Sequence, residues 1–320
     1  VLSEKGQLAF SLDNGKLIVS IREQNKVVKM SRDTLPNVDV WHWDDEQIQS
    51  VQMVRDRRNQ MSTYSALLHL DDMSFIQLES DDMRSSMMNR NADRIIGADP
   101  KPYISDTNWG GGYSDYYMID PVTGKKTLIG KKIGRAMGLS PDGDHFLYFT
   151  DGQFYAYDLP SAKLVNISAN VDVSFIDINE DHPYENPSYG MAGWSSDRET
   201  VFLNHLYDIW AVKLDGSGGY KLTGNYGTEN EIRLRLSRGG SGYRRMMGGA
   251  QDNPYIDISD DNYLSAYGEW TKKSGYFLLR DGKAPKELVY EDASYGRLTE
   301  ARDADRFLFT RETFVDFPDY

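Results

Sequence analysis

Residues 137–168 read MGLSPDGDHFLYFTDGQFYAYDLPSAKLVNIS. After a first short strand, the pattern predicts strands at Phe146–Phe149, Phe154–Asp158 and Leu164–Ile167, because each is a short apolar or alternating run. The runs are separated by Ser-Pro-Asp-Gly, Asp-Gly and Pro-Ser, residue types that supply the backbone angles of tight turns. The stretch therefore predicts a four-stranded antiparallel meander.

The same unit recurs along the chain with variations. Third and fourth strands are predicted at 208–212 and 218–223, and earlier at 115–120 and 124–128. The outer strands are predicted to end near Leu78, Leu128, Ile167, Leu222 and Leu288. This period of about 50 residues is near the long end of propeller-blade periods. An immunoglobulin-like sandwich needs no such four-strand repeat, and a closed barrel rarely has a chain this long.

The repeat predicts an all-β fold, a β-propeller of four-stranded antiparallel blades that occupies residues 1–320 as a single domain. About six to eight blades fit the length, with the first and last blades incomplete. An incomplete blade exposes strand edges. We therefore expect the N-terminal segment, or residues beyond Tyr320, to supply the missing strands.

The composition excludes several classes of partner and site. The chain has 36 basic and 49 acidic residues, a net charge of −13, and no cysteine. An acidic surface repels nucleic acid and anionic lipid, and we interpret the basic cluster Arg55, Arg57 and Arg58 as a solvated loop. Without cysteine there is no disulfide, thiolate zinc site or cysteine nucleophile. No apolar run approaches the ~20 residues of a membrane helix, so we predict no membrane insertion.

Several strings from residue 40 onward carry a family resemblance. They are VWHWD at 40–44, QSVQ at 49–52, LSPDG at 139–143, DIW at 208–210, YGEWTKKSG at 267–275, DASYGRL at 292–298, FTRETF at 309–314 and FPDY at 317–320. Together they resemble the propeller of bacterial prolyl oligopeptidase-type serine peptidases, which include dipeptidyl and acylaminoacyl peptidases. The strings nearest the C-terminus are the most specific, and residues 1–39 resemble the family least.

In that family an α/β-hydrolase domain with a Ser-Asp-His triad follows the propeller, and the propeller restricts access to short peptides. The resemblance thus implies two partners, a peptide substrate and a hydrolase domain in cis that residues 1–320 do not contain. The nucleophile elbow Gly-x-Ser-x-Gly is approached by residues 239–243 (GGSGY) and 215–219 (DGSGG), but neither string matches it. Neither has the preceding buried strand and following helix of an elbow. We therefore predict no catalytic residue in this chain. The resemblance favours a bacterial periplasmic or secreted location over a cytoplasmic one, whereas the absence of cysteine does not distinguish the bacterial envelope from the cytoplasm.

No metal or cofactor is predicted. The five histidines lack the paired spacing of a zinc site, and His69 and His145 lie in strand patterns that indicate structural roles. Asp177, Asn179 and Asp181 mimic the start of a calcium loop, but His182 replaces its glycine and no closing glutamate follows. The glycines at 110–112 are not followed by the Lys-Ser/Thr pair of a phosphate-binding loop.

Two long loops supply the candidate substrate-binding residues. One contains Trp109 and Tyr113; the other, at 176–189, contains Tyr184, Glu185 and Tyr189. Loops of this kind emerge at a propeller face, where binding residues concentrate. The alternative interpretation is that the aromatic rings only support their own loops.

The sequence therefore predicts a non-catalytic propeller that gates or orients peptide substrate for a serine peptidase. Two alternatives stay open. The chain could be a stand-alone binding module for peptide or carbohydrate. It could also be a propeller enzyme of carbohydrate metabolism with its site in the central funnel, built from carboxylates that are distant in sequence.

Overall fold

A computed structural model describes residues 1–3, 6–23, 38–182, 184–237, 254–280, 283–301, 304 and 306–320. The chain divides into two compact units. The first comprises Val1–Thr150, Tyr157–Leu164 and His182–Glu185, and the second comprises Asp151–Ala156, Val165–Asp181 and Asn186–Tyr320.

Short strands make up most of the regular structure, and they form four-stranded antiparallel sheets. The first sheet contains β1 (Leu8–Phe10), β2 (Lys16–Ile21), β3 (Tyr64–His69) and β4 (Phe75–Gln77). The second contains β5 (Ser85–Met88), β6 (Ile95–Asp99), β7 (Ser114–Ile119) and β8 (Lys126–Ile133). The third contains β9 (Arg135–Leu139), β10 (His145–Thr150), β11 (Gln153–Asp158) and β12 (Lys163–Asn166).

The second unit continues the series with two more such sheets. One contains β13 (Met191–Trp194), β14 (Thr200–Asn204), β15 (Ile209–Lys213) and β16 (Gly219–Lys221). The other contains β17 (Ile232–Leu236), β18 (Asn262–Gly268), β19 (Ser274–Leu279) and β20 (Lys286–Glu291). Shorter strands follow: β21 (Ser294–Tyr295) pairs with β24 (Arg311–Glu312), and β22 (Thr299–Glu300) pairs with β23 (Phe307–Leu308).

The fold class is confirmed: the chain is an all-β protein of the β-propeller class. The described residues form five four-stranded antiparallel sheets, and in each sheet the strands pair in chain order. The meander predicted at 137–168 is the third sheet. The first sheet already has four strands, unlike the incomplete first blade that the sequence suggested, because β1 pairs with β2 from Leu8↔Val19 to Phe10↔Leu17. Within the described residues, two-stranded sheets occur only after β20.

A serine and an aspartate two residues later shape equivalent turns in two sheets. Ser11 and Asp13 lie between β1 and β2, and Ser140 and Asp142 lie between β9 and β10. In both turns the serine hydroxyl donates to the aspartate Oδ1 at 2.5 Å. The serine Oγ also accepts the N–H of the residue five positions on, at 3.0 and 2.9 Å. These local bonds stabilise the chain reversal without help from the core.

Each unit has its own hydrophobic core. In the first unit, Leu67, Leu78 and Ile95 are almost fully buried in one cluster. In the second, Phe202 and Phe277 are fully buried in a larger cluster. Middle strands of the sheets read as continuous apolar runs because both of their faces are covered.

The buried side chain of Asp208 organises the chain beside β15. It is fully buried, and Oδ1 accepts bonds from the Thr223 hydroxyl and the Gly227 N–H, each at 2.9 Å. Oδ2 accepts the Thr228 N–H at 3.1 Å and the Thr228 hydroxyl at 2.5 Å. The carboxylate thereby supplies acceptors for the first turn of α2 (Tyr226–Asn230).

Helical structure corrects one interpretation. The basic cluster Arg55, Arg57 and Arg58 belongs to α1 (Gln49–Gln60), not to a loop. The helix forms because Gln, Arg and Met have good intrinsic helix propensity, although it has no continuous apolar stripe. A 3₁₀ helix at Lys101–Trp109 separates β6 from β7. None of the helices in the described residues is both long and apolar enough to cross a membrane.

Candidate functional site

Trp109 is the most exposed of the aromatic residues predicted to bind substrate. The 3₁₀ helix ends at Trp109, whose side chain is 84% exposed, and Gly110 follows with φ +100°. This left-handed conformation suits glycine and turns the chain sharply. The preceding Asn108 donates its amide N–H to the Glu46 carbonyl at 3.0 Å and so fixes the end of the helix.

Tyr113 is half-buried and packs against Tyr103 of its own loop and Lys132 of β8. Lys132 Nζ lies 5.0 Å from the centre of the Tyr113 ring, and Tyr103 contacts the ring edge-on at 6.2 Å. Tyr103 in turn donates its hydroxyl to Asp115 Oδ1 at 2.6 Å. That hydrogen bond to a carboxylate raises the pKa of Tyr103, so Tyr103 is a proton donor in this contact. The geometry gives Tyr113 a supporting role; its contact with substrate stays a prediction.

Tyr184 and Glu185 meet the Trp109 loop. The Tyr184 ring packs against Gly110. A Cβ atom added at Gly110 would lie 3.4 Å from Tyr184 Cδ1. Tyr184 also stacks on His182, with ring centres 5.5 Å apart and planes at 17°. Tyr184 is 38% exposed and Glu185 is exposed. We call Trp109, Gly110, Tyr184 and Glu185 the aromatic loop surface.

Tyr189 has different contacts from the other candidates. Its hydroxyl oxygen accepts the Ile178 N–H at 3.1 Å, and its ring packs against His205 with centres 5.5 Å apart. Burial raises the pKa of Tyr189. These contacts all lie in the second unit, and they define a second cluster that the sequence did not indicate.

That second cluster contains buried polar atoms without hydrogen-bond partners among the described residues. They are Asn204 Oδ1, His205 Nδ1 and Trp210 Nε1, all on the β14–β15 hairpin. The fully buried Phe175 contacts the His205 and Trp210 rings, each at 6.4 Å. Burial and the neighbouring Lys221 lower the pKa of His205, so its imidazole is neutral at pH 7. Unpaired buried polar atoms are costly and call for an explanation.

The structure does not show a nucleophile elbow at either of the two strings that approach the motif, residues 215–219 and 239–243. Residues 215–218 lie in the turn between β15 and β16, and Gly219 begins β16. In this turn Ser217 N–H donates to Asp215 Oδ1 at 2.8 Å, and Gly216 has φ +76°. A hairpin turn lacks the strand-to-helix geometry that presents a nucleophilic serine. The string at 239–243 lies outside the described residues.

The loop after residue 176 contains a potential cation-binding group. Glu180, Asp181 and His182 each offer one ligand atom, all within 4.8 Å of one another, and the last two are exposed. Asp177 instead accepts the Asn179 N–H at 2.9 Å as a local turn. That no metal binds there stays a prediction. His69 and His145 do lie in strands, β3 and β10, as expected.

The sheets and their chain-order pairing define the β-propeller class, and solved structures similar to this chain include members of it. The β-propeller domain of the Trilobed protease from Pyrococcus furiosus shares 12% identity, covering 98% of this chain and 93% of that one, with a TM-score of 0.36. Acylaminoacyl peptidase from Pyrococcus horikoshii shares 12% sequence identity with a TM-score of 0.39. The match covers 99% of this chain and 43% of the peptidase chain. Oligogalacturonate lyase from Vibrio parahaemolyticus shares 10% sequence identity with a TM-score of 0.41. The match covers 98% of this chain and 76% of the lyase chain. This chain therefore spans less than half the length of the acylaminoacyl peptidase.

No protein-family profile matches the sequence, and no curated protein does. The structural similarities are at low identity, and they include both peptidases and a lyase.

Proposed function

We propose that this chain is the non-catalytic propeller of a prolyl oligopeptidase-type serine peptidase, and that its aromatic loop surface holds peptide substrate for a hydrolase domain in cis. The observation that carries the proposal is the packing of Tyr184 against Gly110. It brings two loops that are about 70 residues apart in sequence to one exposed surface. The sequence strings that resemble the peptidase family support the same function.

The chemistry of this surface suits a short peptide. The exposed indole of Trp109 and the ring of Tyr184 are flat apolar faces on which peptide groups and side chains pack. Glu185 adds a carboxylate, which attracts a peptide amino terminus through a charge-assisted hydrogen bond. The surface offers no general base beside a nucleophile, so its role is to hold substrate.

In the protein expressed from its complete gene, Trp109→Ala and Glu185→Gln should each raise KM for a short peptide substrate about three- to tenfold. This is the range expected for losing one aromatic contact or one charged hydrogen bond worth about 0.5–1.5 kcal/mol. Because both side chains are exposed, the melting temperature should stay within about 2 °C. Steady-state kinetics and calorimetry measure the two effects.

Trp270→Ala is the matched control, since Trp270 is an equally exposed tryptophan, at 74%, that lies between β18 and β19 and is not one of the four residues of the aromatic loop surface. It should leave KM unchanged. Wild-type kinetics together with earlier melting of the Trp109 and Glu185 variants would show that the loops are structural. Binding of neutral oligosaccharides but not peptides at this surface would favour the carbohydrate alternative.

The isolated chain should hydrolyse neither peptide p-nitroanilides nor p-nitrophenyl esters, and a fluorophosphonate probe should not label it. The reason is that neither elbow-like string matches the motif and that the chain has no cysteine. Labelling is measured by mass spectrometry of the intact chain. Stoichiometric modification of any serine would contradict the proposal that catalysis belongs to another domain.

A further inference from the structure

The two arginines of β17 differ in their partners. Arg233 and Arg235 alternate with the buried Ile232 and Leu234, so both arginines leave the opposite face of the strand. Arg233 forms an ion pair with Glu269 at 2.8 Å. Within the described residues, Arg235 donates only to backbone carbonyls, those of Leu234 at 2.7 Å and Leu206 at 3.4 Å. Among the described residues, no carboxylate lies within 4.0 Å of it.

Arg235 is therefore a mostly buried cation that forms no direct ion pair in the described part of the chain, although Asp177 and Asp208 attract it from more than 4.0 Å away. Desolvation, followed by repulsion from Arg233, lowers its pKa to about 10, so it is still charged at pH 7. Removing a charge from water without a paired anion is unfavourable. A ligand carboxylate would supply the direct partner that Arg235 lacks, and its two oxygens match the planar guanidinium.

The neighbouring polar atoms add a second requirement. The Ser174 backbone lies beside the His205 imidazole and opposes the lowering of its pKa by burial, and Nδ1 has no hydrogen-bond partner among the described residues. A neutral imidazole that donates from Nε2 leaves Nδ1 as an acceptor. Asn204 Oδ1, on the adjacent residue, is a second acceptor without a donor. Burial of both atoms favours a ligand that brings an N–H group.

We propose that Arg235, with Asn204, His205 and Tyr189, binds the carboxyl terminus of a peptide. We call these four residues the Arg235 cluster. Arg235 pairs with the terminal carboxylate, His205 and Asn204 accept N–H groups of the last residues, and the Tyr189 ring that packs on His205 borders the site. A uronic acid also has a carboxylate, but its hydroxyls need donors and acceptors in similar numbers, whereas the two adjacent side-chain atoms here are both acceptors.

The test compares two forms of one peptide on the purified chain. N-acetyl-Ala-Ala-Tyr with a free carboxylate and the same peptide as its C-terminal amide are titrated by calorimetry. The free acid should bind at least about tenfold more tightly, because only it forms the charge-assisted pair with Arg235. Equal affinities for the acid and the amide overturn the proposal. The proposal is also overturned if glucuronate binds more tightly than the free-acid peptide.

Arg235→Gln and Arg233→Gln form a matched pair on the same face of β17. The first should remove the preference for the free acid, and the second should retain it within about threefold, because Arg233 already has Glu269 as its partner. Loss of the preference in both variants, or in neither, overturns the assignment to Arg235. If Arg235→Gln does not fold, the wild-type chain is used instead, and the NMR signal of the Arg235 Nε–Hε group is followed during the two peptide titrations. That signal should shift with the free acid and stay fixed with the amide.

This inference does not depend on the peptidase function. The kinetic test of Trp109 and Glu185 can fail while the acid peptide still binds at Arg235, and the reverse outcome is equally distinguishable.

Discussion

Replacing Asp208 by alanine is expected to destabilise the folded chain by about 3–5 kcal/mol, because the buried donors of Thr223 and Gly227 lose their charged acceptor. The side chain is fully buried and accepts hydrogen bonds from Thr223, Gly227 and Thr228. Its removal leaves the buried N–H of Gly227 without an acceptor, and each such loss costs about 1–3 kcal/mol. The first turn of α2 would then lose its connection to β15.

Urea unfolding monitored by tryptophan fluorescence measures this effect, since Trp210 lies two residues from Asp208. Asp215→Ala is the control: Asp215 also accepts a backbone N–H in a turn, but it is exposed, so its loss should cost less than about 1 kcal/mol. Asp208→Asn should fall between the two, because it keeps one acceptor and removes the charge. Unchanged unfolding midpoints for Asp208→Ala would show that the network contributes nothing.

Phe277→Ala is expected to destabilise the second unit by about 3–5 kcal/mol, through lost burial and the cavity that remains. The ring is fully buried on β19 and contacts Tyr226 and Tyr290 edge-on, with centres 5.4 and 5.9 Å away. Neighbouring strands hold the backbone on both sides, since β19 pairs with β18 and β20. The surroundings therefore cannot collapse into the space.

The matched control is Phe75→Ala, since Phe75 is also a strand phenylalanine but is 49% exposed. We expect it to cost no more than about 1 kcal/mol, because much of its apolar surface is already in water. Both variants are compared with the wild type by denaturant unfolding. Similar losses for the two phenylalanines would contradict the core assignment of Phe277.

The strands were predictable because their signals are local. Alternation in residues 153–158 and the Asp-Gly turn before them specify a hairpin with no knowledge of the rest of the chain. The serine and aspartate turns are equally local, which is why the third sheet agrees with the predicted meander. The pairing partners followed from short connections, since consecutive strands are usually neighbours.

Helix α1 was missed because its sequence has no amphipathic period. Arg55, Asp56 and Arg58 are exposed, and the helix packs few apolar side chains. A polar helix of this kind resembles a solvated loop when only hydrophobic periodicity is considered. Helix propensity summed over Gln49–Gln60 was the signal that could have identified it.

The candidate sites were predictable in unequal measure. Exposed aromatics in long loops suggested Trp109 and Tyr184, and the structure brings those two loops together. The Arg235 cluster could not be predicted, because Arg235 and His205 are 30 residues apart. What distinguishes them is that, among the described residues, Arg235 has no carboxylate within 4.0 Å and His205 Nδ1 has no hydrogen-bond partner, and sequence patterns do not report this. Arg233 and Arg235 look equivalent in sequence, yet only Arg233 has a described carboxylate beside it.

Because the strands of each sheet pair in chain order, each sheet can form while the chain is being translated. The third sheet uses only residues 135–166, which a ribosome translates in about 2–6 s at about 5–20 residues per second. A hairpin forms in about 1–10 μs once its residues have left the exit tunnel. Each sheet can therefore pair its own strands before the next sheet has been synthesised. Translation itself keeps neighbouring repeats from exchanging strands, although their sequences follow the same pattern.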